Sequence, residues 1–205
     1  MTENKIIVKN IFGHLKNIIV HKFWVLYYAH RFGITWQGIV HDLSKFSPIE
    51  FFESVKYYKG SSSPITECKS KNFISQAWQH HKGRNPHHYE YWVDYFDSGN
   101  PVPHKIPYKY VMEMLADWFA AGRTYAMNAG IKWNDRMECD WWQDRKQKFP
   151  YIMVHPMTLL FIDKFMEEVK FFYGTEWVKD KHNRTVLKNR LKDYYKAEYK
   201  TFEIV

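Results

Sequence analysis

The first apolar pattern along the chain has the period of an α-helix. It runs from Lys5 to Phe32 and collects Ile11, Ile18, Val25 and Phe32 on one face. Gly33 ends this helix, because glycine readily takes the backbone conformation that follows a helix C-terminus. Thr35 is a suitable N-cap for a short second helix, whose far end presents the adjacent residues His41 and Asp42.

Later patterns also have helical spacing. Ser47, Pro48 and Glu50 form a capping box with proline at the first helical position, which predicts a third helix from Pro48 to about Lys59. A fourth helix is predicted over Thr66–Lys82, with Phe73, Ile74, Ala77 and Trp78 on its apolar side. Further helices are expected over Asn85–Trp92, Pro107–Met127, Asp135–Lys148, Pro156–Tyr173 and Asn183–Lys200.

These patterns predict an all-α fold, because no credible run of alternating apolar and polar residues appears anywhere. The segment from Asp97 to Pro107 holds Gly99 and three prolines and is expected to be a connection. Residues 1–129 carry the candidate chemistry, and residues 130–205 are expected to form a helical extension packed on them. A single domain is the alternative.

Composition and charge limit the size of the core, the class of partner and the cellular location that can be expected. Its 205 residues suffice for one core, and the net charge of +8 favours anionic partners such as phosphorylated metabolites, with nucleic acid a weaker alternative. No secretory leader or membrane-spanning run of apolar residues is visible. Cys68 and Cys139 lie far apart, without the spacing of a thiolate zinc site or a disulfide framework. A cytoplasmic protein without a membrane segment is expected, and its oligomeric state is open.

Histidines and one aspartate occupy faces that should point inward. His14 and His21 lie on the apolar face of the first helix, and His80 and His81 end the fourth. Asp117 lies on the apolar face of the helix that begins at Pro107. A buried carboxylate needs a cation or hydrogen-bond donors, so Asp117 is expected to face a metal or, alternatively, to pair with Arg123. Glu113, one turn earlier, is expected to be solvated rather than to orient a ligand.

Imidazole and carboxylate ligands without thiolate suit Mn, Fe, Co, Ni or Zn, in a site that keeps positions open for water and substrate. The sequence does not select among these divalent metals. Such an ion lowers the pKa of water and polarises a phosphoryl oxygen, and a second ion would clamp the attacking and leaving oxygens. Hydrolysis of a phosphoester is therefore the expected chemistry.

The order of these residues resembles the HD-domain superfamily of metal-dependent phosphohydrolases, over about residues 14–125. The resemblance implies an HD-like helical bundle in which the first metal is bound by His21, His41, Asp42 and Asp117. It offers His80 and His81 for a second metal. The short interval between His21 and His41 leaves His14 as a rival first ligand. The absence of a histidine between Asp42 and His80 leaves one metal as an alternative to two.

Two longer motifs resemble a small uncharacterised bacterial and phage family of the same kind. They are the segment from His41 to Pro48 (HDLSKFSP) and the segment from His80 to His88 (HHKGRNPHH). Membership in that family would name no substrate.

Catalytic roles are assigned to residues that lie close in sequence to the proposed ligands. Lys45 or Arg84 is expected to neutralise the phosphate, and Asp42 to orient the nucleophile. His87, with its neighbour His88, is expected to act as general acid on the leaving oxygen or, alternatively, to lie in solvent. The substrate is expected to be a small phosphorylated molecule, and a nucleotide is the favoured class. The tryptophans are expected to be core residues rather than a base-stacking platform.

Two other functions are kept as alternatives. An HD-like protein with a di-iron centre would use oxygen in place of hydrolysis. A protein that is not an enzyme would bind nucleic acid or a host protein through the basic last helix.

Overall fold

The computed structural model describes residues 3–60, 62–148, 153–173 and 180–201. Its α-helices are α1 (Glu3–Phe32), α2 (Thr35–Val40), α3 (Pro48–Lys56), α4 (Pro64–Asn72), α5 (Gln76–Lys82), α6 (Tyr108–Asn128), α7 (Arg136–Arg145), α8 (Pro156–Tyr173) and α9 (Lys181–Thr201). Short 3-10 turns cover Leu43–Phe46, Tyr89–Trp92 and Lys146–Lys148. The all-α prediction is confirmed.

One small sheet departs from the prediction that no strand occurs. Strand β1 (Val93–Tyr95) lies just before the expected connection, and strand β2 (Pro101–Pro103) lies within it. The two strands pair antiparallel, with Val93 opposite Pro103. The short strands and the prolines of β2 leave too few residues for an alternating pattern to be visible in the sequence.

The core forms where α1 packs along α6 and both meet α8. Phe32 of α1 contacts Phe119 of α6 and Phe165 of α8, with ring centroids 6.1 and 5.0 Å apart. Leu187 and Leu191 of α9 are buried in the same core. Residues on both sides of position 130 therefore contribute to one core, and the expected division of the chain stays a prediction.

The predicted fourth helix is wrong, because it is two helices. Phe73 separates α4 from α5 and takes a left-handed backbone conformation with φ of 64°. Phe73 and Ile74 are exposed, although both were assigned to an apolar face. Ser75 begins a new helix because its side chain accepts a hydrogen bond from the backbone N–H of Trp78.

Two further expectations about helix starts are corrected. The helix expected over Asn85–Trp92 is only a 3-10 turn, because Asn85 donates hydrogen bonds to the His81 carbonyl and the Ser44 hydroxyl instead of starting a helix. Thr35 is not the N-cap of α2, because Ile34 occupies that position, and the Thr35 hydroxyl lies 3.2 Å from Nδ1 of His30. Ser47 does cap α3 as predicted, by accepting from the Glu50 N–H.

Within the described part of the chain, no helix has both the length and the apolar character that crossing a bilayer requires.

Candidate metal centre

The His41-Asp42 doublet lies at a sharp turn directly after α2. Asp42 has a left-handed backbone with φ of 52°, so the chain reverses at this residue and sends both side chains inward. Lys22 of α1 donates hydrogen bonds to the carbonyls of Ile39 and His41, at 2.7 and 2.8 Å. The turn is thereby fixed to the helix that also carries His21.

A first group of side chains gathers between α1, the end of α2 and α6. It consists of His21, His41, Asp42 and Asp117, each of which offers one ligand atom within 4.8 Å of the others. Asp117 Oδ1 lies 2.9 Å from His21 Nε2 and 3.5 Å from His41 Nε2. These are the four residues that the resemblance implied for one metal, and the structure brings them together.

A second group lies on the other side of the same aspartate. It consists of Asp42, His81, His87 and His88, again with ligand atoms within 4.8 Å of one another. Asp42 Oδ1 is 3.4 Å from His81 Nε2 and 3.3 Å from His87 Nε2, and the His88 ring packs 4.3 Å from that of His87. Asp42 is therefore common to both groups.

Two buried glutamates orient the histidine rings from outside these groups. Glu113 Oε1 accepts from Nδ1 of His41 at 3.0 Å and lies 3.2 Å from Nδ1 of His87. Glu50 accepts from Nδ1 of His81 at 2.7 Å and from Nδ1 of His80 at 2.6 Å. When Nδ1 carries the proton, Nε2 is left with its lone pair, which is the arrangement typical of metal-binding histidines.

Several ring nitrogens and a carboxylate oxygen that face into the two groups lack hydrogen bonds. The Nε2 atoms of His41, His87 and His88 and the Oδ1 atom of Asp42 are buried and make no hydrogen bond of acceptable geometry. Unsatisfied buried polar atoms are costly and are rare in folded proteins, so several at one place call for a bound partner. Nitrogen and carboxylate oxygen atoms facing one point fit a divalent transition metal.

Burial and charge together set the protonation of the cluster. Burial disfavours the charged ring of His41, but the carboxylates of Asp42, Asp117 and Glu113 outweigh it and hold the pKa of His41 well above its usual range. Burial alone would raise the pKa of Asp42, but the charges of His41 and Lys45 hold that pKa well below its usual range. The raised pKa of His41 thus reflects the carboxylates around it, and the lowered pKa of Asp42 reflects the cationic groups that face it.

For two other histidines the effect of burial prevails, and the net shift of the pKa is downward. Burial lowers the pKa of His21, an effect that Lys45 reinforces, and it lowers the pKa of His88, together with the neighbouring rings of His87 and His81. Both rings are therefore held in the neutral form that a metal ligand requires.

A cavity of about 220 Å³ opens beside both groups. Its polar wall includes Asp42, Asp117, His88 and Lys45, and its other walls include Ile18, Ile65, Ala77, Trp78 and Tyr125. The Lys45 ammonium lies 2.6 Å from Asp42 Oδ2, and Asp42 keeps it charged by raising its pKa against the effect of burial.

Some predicted site residues lie elsewhere. His80 belongs to none of the groups found among the described residues, because its Nδ1 faces Glu50. Arg84 is exposed and does not line the cavity. His14 lines the cavity but lies outside the first group, so the structure favours His21 as first ligand. Arg123 stacks over Trp24 at 3.4 Å, and Asp117 faces the histidines.

Other residues of the site were missed or misjudged in the sequence. Glu113 was expected to be solvated, but it is buried between two histidines. Glu50 was assigned only to a capping box, and His88 was given no ligand role. The available signal for Glu113 was its position one turn before Asp117 on a face that is otherwise apolar.

The fold and the cluster define an all-α protein whose buried histidines and aspartates could hold metal ions. The chain belongs to the Family of unknown function (DUF5662), whose model matches residues 10–168. That span contains every member of both groups. Neither the curated proteins nor the solved structures include a significant match to the chain.

Proposed function

We propose that the protein is a metal-dependent phosphohydrolase that acts on a small phosphorylated molecule. The observation that carries the proposal is the sharing of Asp42 by two groups of ligand atoms, with the histidine rings oriented by Glu113 and Glu50. His21, His41, Asp42 and Asp117 would hold one divalent ion, and His81, His87 and His88 with Asp42 would hold another.

The charge balance favours metal binding over a purely structural network of ion pairs. Asp42, Asp117, Glu50 and Glu113 place four carboxylates around the cluster, and Lys45 is the only lysine or arginine among the described residues that line the cavity. A phosphate would be repelled by this surplus of negative charge unless cations compensated it. Divalent ions bound there would polarise the phosphoryl group and lower the pKa of the attacking water.

The protein's own residues take three roles in this proposal. Lys45 remains charged and faces the cavity, where it neutralises phosphate oxygens. Asp42 holds Lys45 and stands between the two groups, which places it to orient the nucleophile. His87 is reassigned from general acid to ligand, because its Nε2 faces Asp42 and its Nδ1 faces Glu113.

The cavity supports a small substrate. Its volume and its apolar walls suit a compact organic group next to a phosphate, and Trp78 offers an aromatic surface. A nucleotide has both parts, and base stacking on an aromatic ring is a common means of binding one.

The test combines metal analysis with hydrolysis assays. Purified protein is expected to contain a transition metal and to cleave a generic phosphoester or members of a nucleotide panel when Mn, Co, Ni or Mg is added. His41→Ala and Asp42→Asn are expected to lose both metal and activity, and His182→Ala on the exposed surface of α9 serves as the matched control. The proposal fails if metal content and hydrolysis are the same in all four proteins.

A second candidate is an oxygen-using di-iron centre in the same groups. Three histidines accompany Asp42 in the second group, and imidazole is a good ligand for iron. Iron as the native metal, together with oxygen uptake and no phosphoester cleavage, would favour this function over hydrolysis.

A further inference from the structure

The outer side of the α2–α3 segment is an uncovered apolar surface. We call it the outer face and define it by Trp36, Ile39, Leu43, Phe46, Ile49 and Phe52, all of which are exposed. Trp36 is 67% exposed and Phe52 62% exposed. Among the exposed residues from Thr35 to Phe52, only Thr35 is polar.

From Thr35 to Phe52, the charged and histidine side chains are buried or half-buried, and several of them face the site. His41 and Asp42 belong to the proposed metal groups, and Asp42, Lys45 and Glu50 line the cavity. Leu43 and Phe46 lie three residues apart in a 3-10 turn, where residues at this spacing share a side. Ile49 and Phe52 likewise share a side of α3. None of these four side chains lines the cavity, and no exposed residue from Thr35 to Phe52 carries a charge.

The size of the outer face is that of a protein interface. From the exposed fractions and the usual areas of such side chains, it presents on the order of 700 Å² of apolar area. The largest apolar patch of a typical monomer covers about 300–600 Å². A standard interface buries about 800 Å² on each partner. The area thus exceeds what a monomer commonly leaves exposed and nearly suffices for a stable complex.

We infer that the outer face is the interface of a two-fold symmetric homodimer. In such a dimer the same surface meets itself, which brings like charges together unless the surface carries none. The outer face satisfies this condition. A membrane surface would instead require several lysines around the apolar residues. Lys45 contacts Asp42, Lys22 is bound to two backbone carbonyls, and Lys56 is the one exposed lysine from Thr35 to Lys56. The inference does not depend on the proposed hydrolysis.

The experiment measures the mass of the full chain in solution by light scattering and sedimentation over a range of concentrations. The wild-type protein is expected at twice the monomer mass of 25.0 kDa. The double variant Ile49→Glu/Phe52→Glu and the single variant Trp36→Glu are expected to be monomeric, with dissociation constants raised about a hundredfold or more. Phe96→Glu, at a position 64% exposed on the hairpin, is the matched control and should remain dimeric.

The outcomes are distinct. Circular dichroism shows whether each variant keeps its helices. Association of the wild-type protein should strengthen with added salt, because each copy carries a charge of +8 and salt screens the repulsion between the copies. A wild-type protein that remains monomeric at its highest soluble concentration overturns the inference. The inference is also overturned if both outer-face variants are folded and still dimeric. It is likewise overturned if the protein is a monomer that sediments with phosphatidylcholine and phosphatidylserine vesicles only while the outer face is intact.

Discussion

Lys22 donates a hydrogen bond to the backbone carbonyl of His41 at 2.8 Å, and the same ammonium binds the carbonyl of Ile39. One side chain of α1 thus fixes the turn that presents the proposed ligands His41 and Asp42. The residue before it, His21, belongs to the same group. Ligands from two separate elements are aligned through this contact.

Replacing Lys22 should loosen this turn. Lys22→Met keeps the aliphatic stem and removes both hydrogen bonds, so we expect the free energy of unfolding to fall by about 1–2 kcal/mol. Metal affinity, measured by isothermal titration calorimetry, should fall about tenfold because the turn is no longer held in place. Lys16→Met, at an exposed position of the same helix, is the control. Equal metal affinity in both variants would show that the contact has no positioning role.

Glu113 should matter for metal binding although it lies outside both four-residue groups. Glu113→Gln has a similar size but no negative charge, and its amide can no longer serve two Nδ1 donors equally well. We expect metal affinity to drop about 10–100-fold. The substitution Glu167→Gln at an exposed position of α8 should have no effect. Unchanged affinity in Glu113→Gln would contradict the proposed orientation of His41 and His87.

Replacing His88 and replacing His80 should have different effects on the metal content. His88→Ala removes a member of the second group and is expected to lower the metal content by up to one ion per chain, as measured by elemental analysis. His80→Ala removes a ring that faces Glu50 and should leave the metal content nearly unchanged. The reverse result would favour the ligand originally expected from the sequence.

Much of the fold was predictable from local patterns. The length of α1 and its buried face at Ile18, Val25 and Phe32 follow from apolar spacing alone. The break at Phe73 was not predictable, because an aromatic residue in a left-handed conformation has no sequence signature comparable to that of glycine. Trp78 is only partly buried, although it continued the apolar spacing.

The candidate site, like the fold, was predictable from the sequence only in part. The residues of the first group were identified through a resemblance in their order along the chain. Glu113 was misjudged because its partner His41 lies 72 residues earlier, and local spacing carries no information about such a contact. His88 was missed because it lies in an irregular turn after α5, where the direction of a side chain depends on tertiary packing. His80 lies within α5, but its contact with Glu50, 30 residues earlier, is not visible in local spacing.

Stability should depend on pH through Glu138 of α7. Burial, with help from the charges of Asp117 and Asp135, raises the pKa of Glu138 from 4.5 to about 8 in the folded protein. The folded state therefore holds a proton that the unfolded state has lost, and stability falls as pH rises through this window, by at most ~1.4 kcal/mol per pH unit. Glu138→Gln should remove this loss.

The measurement is a pair of urea unfolding curves at each end of the window, for wild type and Glu138→Gln. The variant should gain stability relative to wild type at the alkaline end and little at the acidic end. Asp140→Asn, at an exposed position of the same helix, is the control for a general effect of charge. A pH-independent difference between wild type and Glu138→Gln would refute the assigned protonation.

The left-handed backbone of Asp42 limits how this residue can be substituted. Aspartate and asparagine tolerate a φ of 52° better than most other residues with a side chain, and glycine adopts it without penalty. Alanine at this position would therefore remove the carboxylate and disfavour the turn at the same time. A loss of function in Asp42→Ala could come from the missing carboxylate or from the disturbed turn. Asp42→Asn changes the ligand and leaves the backbone preference nearly intact. The same constraint narrows the residues that evolution can sample here to very few.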